Sequence, residues 1–116
     1  MKLLTAAQRT QMLKNGESSR ASQEHAIDHR PVAKLFTPDA NATWLLTELD
    51  PGDDLQAFGL CDLGVGCPEL GYVSLKELES LRGPMGLKVE RDLHFTAGKT
   101  LAEYATEART SRRVRA

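Results

Sequence analysis

The segment Asp50-Pro51-Gly52-Asp53-Asp54 constrains this chain more than any other stretch. Proline presets one backbone dihedral and glycine accepts a positive one, so the chain must reverse there. On either side lie two runs with strand composition, residues 42–49, rich in Thr, Leu and Trp, and residues 55–62. Two such runs around a tight turn predict a hairpin. A first strand precedes them, with Val32, Lys34 and Phe36 set against Ala33 and Leu35, ending at the turn signal Thr37-Pro38-Asp39. After the flexible Leu63-Gly64-Val65-Gly66, residues 70–73 read as a short fourth strand.

Helix signals surround this meander. Thr5 with Gln8, Ser74 with Glu77, and Thr100 with Glu103 have the spacing of capping boxes. The first opens a helix over residues 6–14, which Asn15-Gly16 is expected to stop. The second opens a helix whose Leu75, Leu78 and Leu81 share a face, ended by Gly83-Pro84. The third opens a last helix to about residue 109. Between the last two, residues 87–95 alternate without a break, Leu87, Val89, Arg91, Leu93 and Phe95 on one side. That is a fifth strand. The expected fold is α+β: a small antiparallel sheet in a meander, with helices packed on one side. A single domain is expected over residues 1–110, with residues 16–30 as a polar loop or insert and residues 111–116 as a basic tail.

A chain of 116 residues has room for one core, and with aromatics at only 5% that core rests on Leu, Val and Ala. No run reaches the ~18 apolar residues of a membrane helix, and the opening residues make a poor secretory signal. Two cysteines without an export signal predict free thiols in the cytoplasm. Net charge is -1, unevenly spread: residues 1–38 carry +3, residues 39–92 carry -7 and residues 93–116 carry +3. An acidic middle between basic ends attracts basic partners, holds the ends against the body, or in the extreme mimics nucleic acid.

Several runs carry a resemblance. They are Phe36-Thr37-Pro38-Asp39, Thr43-Trp44 with Glu48, Phe58-Gly59-Leu60, Glu69-Leu70-Gly71-Tyr72-Val73-Ser74-Leu75 and Glu77-Leu78-Glu79. Arg82-Gly83-Pro84 with Gly86-Leu87, then Glu90-Arg91-Asp92-Leu93 and the opening Met1-Lys2-Leu3-Leu4-Thr5, complete the set. Together they resemble the bacterial family known as domain of unknown function 2958, most specifically over residues 69–95. The polar stretch 16–30 and the Arg-rich tail depart from the pattern. The resemblance implies a short protein of bacterial genomes, often on plasmids or other mobile elements, and brings no catalytic residues.

The residues offer few chemical constellations. His25 and His29 are four apart, but Ala26 stands where a metalloprotease helix needs Glu, so no metal site is assigned. Cys61 and Cys67 are too widely spaced for the usual zinc pair and read as buried, inert thiols. Gly64-Val65-Gly66 is followed by Cys67-Pro68 and a strand rather than a helix, against nucleotide binding. Arg82-Gly83-Pro84-Met85-Gly86 reads as a helix stop whose amides and arginine are also able to hold an anion. Arg91 stands out, because a guanidinium among four apolar residues must pair with a carboxylate or reach into a polar cleft. Glu48, aligned with Trp44 and Leu46 on the second strand, is the candidate, giving a speculative charged pocket of Arg91, Glu48 and Trp44. Arg109, Arg112, Arg113 and Arg115 are the candidate phosphate contacts.

Three functions are compatible with these residues, in this order: a non-enzymatic interaction or accessory factor of a plasmid or other mobile element, with a protein partner; a nucleic-acid-binding protein using its basic termini; and an enzyme using the Arg91 pocket. No cofactor and no membrane contact are implied, and oligomeric state is left open.

Overall fold

The hairpin forms where the sequence demands it. In the computed structural model, which describes residues 2–22 and 27–116, Asp50 pairs with Asp53 across Pro51-Gly52. The turn is held by Asp50, whose Oδ1 accepts the Gly52 N–H at 2.9 Å. Gly52 does not adopt the positive φ expected of it; Gly64, Gly66 and Gly86 are the glycines that do. The elements run α1 (Ala6–Ala21), β1 (Ala33–Phe36), β2 (Thr43–Asp50), β3 (Asp53–Asp62), β4 (Glu69–Ser74), α2 (Leu75–Ser80), β5 (Glu90–Arg91) and α3 (Leu101–Ser111). All pairings are antiparallel, in the order β4-β3-β2-β1-β5.

The α+β class and the meander are as expected, but the helices divide between both faces of the sheet. Trp44, Leu46 and Leu35 pack with Met12 of α1 and Leu75 and Leu78 of α2. Leu45 and Leu60 pack with Leu101, Tyr104, Ala105 and Ala108 of α3 on the other side. β2 explains the split: its six central residues are all buried, the mark of a strand covered on both faces.

Three expectations over local structure are corrected. Residues 16–21 belong to α1, not to a loop, because Gly16 is a contact rather than a stop. A Cβ there would lie 1.9 Å from the Leu49 carbonyl oxygen, so glycine lets α1 approach the β2 backbone. Asn15, buried beside it, donates to the Thr47 carbonyl oxygen at 2.9 Å. The fifth strand shrinks to Glu90–Arg91, since Asp92 Oδ1 accepts the His94 N–H and turns the chain out of the ladder. That amide first, and Lys34 after it, hold the Asp92 carboxyl below its ordinary range. The last helix runs to Ser111, and Arg112 ends it in the left-handed region at φ 60°.

Candidate functional site

The expected pocket of Arg91, Glu48 and Trp44 is not assembled. Arg91 pairs with Leu35, and Leu35 with Trp44, so Arg91 and Trp44 share a sheet face with Leu35 standing between them. Glu48 lies on the other face. The ladder shifts register between Leu46 and Glu48, setting Glu48 opposite Phe58 rather than in line with Trp44. A bulge inserts one residue and re-aims the side chains after it, so period-two counting fails from there on. Arg91 instead donates to the Lys2 carbonyl oxygen at 2.8 Å, and among the described residues it pairs with no carboxylate.

Glu48 finds other partners. Ser19 of α1 donates to its Oε2 at 2.7 Å, and His29 Nε2 lies 3.3 Å from the same hydroxyl and 3.8 Å from the carboxylate. This polar clasp ties the end of α1 and the segment before β1 to the flank of β2, where pairing with β1 has stopped at Leu46. Ser19 and His29 fall in the stretch that reads as a polar loop, so no sequence periodicity pointed to them. His25, the other half of the histidine pair, lies outside the described residues. Among the described residues, no three metal-ligating side chains cluster.

The remaining candidates are each absorbed or displaced. Cys61 is half-buried, and burial first, then the nearby Glu69, pushes its thiol up to about 11; it is inert at neutral pH. Cys67 is exposed, contrary to the expectation that both thiols are buried. The amides of Met85 and Leu87 do hold an anion, namely Asp39 Oδ2 at 2.7 and 3.3 Å. Gly83 is needed there because a Cβ would overlap the same carboxylate. The acidic hairpin meets the basic first helix: Asp54 pairs with Arg9 at 2.9 Å and Asp50 with Arg20 at 3.1 Å.

The basic tail folds back on the sheet. Asp62, buried, accepts the Val114 N–H at 2.9 Å, and Lys34 Nζ donates to the Ala116 carbonyl oxygen at 2.6 Å. A cavity of about 610 Å³ lies beside it, lined among others by Lys34, Thr43, Asp62, Asp92, Arg112 and Arg113. Arg109, Arg112, Arg113 and Arg115 are all exposed.

A different surface carries the largest apolar exposure in a regular element. β4 is an edge strand, paired with β3 on one side only. Among the described residues, no backbone hydrogen bond reaches its other side. Leu70 is 41% exposed and Tyr72 56%, both on the face of Phe58, whose ring Tyr72 meets edge-on at 5.2 Å. Burial first, then Glu48 and Asp50, push the Tyr72 phenol above its ordinary value, so its hydroxyl stays protonated. A cavity of about 400 Å³ adjoins β4, lined among others by Trp44, Leu63, Tyr72, Val73, Leu78 and Leu81. The sequence pattern locates β4 but not its edge position, which only the strand order reveals.

These features define an α+β protein on an antiparallel meander with an unpaired six-residue sheet edge at β4. The chain belongs to the family described as protein of unknown function (DUF2958), whose model matches residues 3–115. The match includes both the 16–30 stretch and most of the tail, the two places that depart from the resemblance. No curated protein and no solved structure matches the chain. Among the described residues, no helix is long and apolar enough to cross a membrane.

Proposed function

We propose that this protein is a non-enzymatic interaction factor that accepts a strand from a protein partner along the β4 edge. The observation that carries the reading is the open six-residue edge with Leu70 and Tyr72 exposed. Edge strands are templates for added strands, and native proteins blunt those that must not pair. β4 has no proline and no lysine, and Glu69 is its single charge. Free thiols fit a cytoplasmic setting, and an accessory role on a bacterial plasmid or other mobile element fits a domain whose work is capture.

The test is a photo-crosslinker at the edge, Tyr72→p-benzoylphenylalanine, irradiated in a bacterial lysate after nuclease treatment. The reading expects an adduct, mapped by mass spectrometry to an extended segment of an identified chain and lost when Leu70→Lys is added. Absence of any adduct, or adducts indifferent to Leu70→Lys, contradicts it.

A second reading, nucleic-acid binding, is favoured by Arg112 and Arg113, which border the tail cavity and donate to no protein acceptor among the described residues. Because the tail is tied down through Val114 and Ala116, charge reversal is a cleaner test than deletion. Arg112→Glu with Arg113→Glu should weaken duplex binding and flatten its salt dependence. No binding by the parent chain at low salt contradicts this reading.

A further inference from the structure

The cavity beside the tail is larger than the one at β4, and at about 610 Å³ it falls within the ~300–1,000 Å³ of small-molecule sites. It lies on the α3 face of the sheet, where Phe36, Thr43 and Asp62 stand in register across β1, β2 and β3. The tail is held over it. Arg112, among the described residues the single non-glycine residue at positive φ, reverses the chain at 60°. Val114 and Ala116 then reach Asp62 and Lys34. Glycine holds such a position without strain and commonly ends helices this way. The chain accepts the strain and keeps a guanidinium at the cavity instead. Strained residues of this kind gather at ligand sites.

The polar groups around this cavity are unequally engaged. Both carboxylates have partners. Asp62 accepts the Gly64 and Val114 amides at 2.8 and 2.9 Å, and Asp92 accepts the His94 amide at 2.9 Å and faces Lys34 at 3.5 Å. Lys34 is engaged in turn, by Asp92 and by the Ala116 carbonyl. Among the described residues, the groups without a partner are the guanidiniums of Arg112 and Arg113, the Gly66 amide, and the side chains of Asn41 and Thr43. The first three can only donate, and the last two can do so. A ligand that completes this set brings acceptors and negative charge.

We infer that this cavity binds a small phosphate monoester, its phosphate held by Arg112 and Arg113. A carboxylate fills one guanidinium fork. A phosphate monoester is close to doubly charged at neutral pH and has three terminal oxygens, so it accepts from both forks. Phe36, half-buried, with Ala40 and Ala42, supplies an apolar wall for the carbon skeleton of the ester. The site uses no residue of β4 and does not depend on strand addition there. It shares its arginines with the nucleic-acid reading, and the ligand's size separates the two.

Amide magnetic resonance of the isotope-labelled chain tests this, in titrations with adenosine monophosphate and with inorganic phosphate up to about 10 mM. The expected result is saturable movement of the Thr43, Gly66, Arg112 and Arg113 signals with both, while adenosine leaves them still. Arg112→Gln with Arg113→Gln should weaken binding at least about tenfold, with unchanged circular dichroism. Arg112→Gly separates strain from binding. It should hold or raise the melting temperature, because glycine is unstrained at that φ, and still weaken binding at least about threefold. No saturable movement with either phosphate, equal movement with adenosine, or binding indifferent to the arginine variants overturns the inference. If a short DNA duplex moves these signals and neither phosphate does, the arginines serve nucleic acid and the small-ligand site falls.

Discussion

β5 and β4 bound the same sheet, yet β5 offers two residues and β4 six. Charge and covalent neighbours surround β5: Glu90 and Arg91 form it, Asp92 comes directly after it, and Arg91 reaches across to the Lys2 carbonyl. The 82–88 loop, bridged to itself through Arg82 and Lys88, leads into it. β4 carries one carboxylate and two exposed apolar side chains. Short, charged edges resist pairing and long apolar ones invite it. The difference teaches that the chain can blunt an edge and does so on one side alone, which is why function is assigned to the other.

Substitutions on the two sides should therefore part company. On the β5 side of β2, where α1 takes over from β1, Gly16→Ala drives a methyl into the Leu49 carbonyl and should cost about 3 kcal/mol, read by urea denaturation. A cost under about 1 kcal/mol would mean that α1 does not grip the sheet there. Ser19→Ala removes the donor from the buried Glu48 carboxylate and should cost about 1.5 kcal/mol. A double-mutant cycle with Glu48→Gln should recover most of that as coupling, and independent effects would dissolve the clasp. On the open side, Gly71→Ala should raise stability by about 0.5 kcal/mol, because a Cβ has open space there. A loss instead would reveal an intrachain reason for that glycine.

The residues that announced their structure did so through local chemistry. The Asp50-Pro51-Gly52-Asp53 reversal and the capping residues Thr5, Ser74 and Thr100 all stand where the sequence puts them. What escaped was decided by tertiary approach. Gly16 has the look of a helix stop, and only the nearness of Leu49 makes it a helix interior. The bulge before Glu48 turned the proposed ion pair inside out, since period-two counting carries no sign of an inserted residue. Unbroken alternation over 87–95 yielded two strand residues, because Asp92 bonding to the His94 amide competes locally with the ladder. The candidate site was least legible of all. Leu70 and Tyr72 are ordinary strand residues in sequence, and their meaning comes from β4 lying last in the sheet order.

The claim that β4 is an edge built to be paired is tested most directly by amide hydrogen exchange, measured residue by residue on the chain alone and with the segment that the Tyr72 crosslinker identifies. The account predicts that the β4 amides pointing away from β3 exchange freely in the chain alone and slow about tenfold with that segment bound, while those of β5 do not respond. Exchange in β4 that is already slow in the chain alone, or that ignores the added segment, would contradict it.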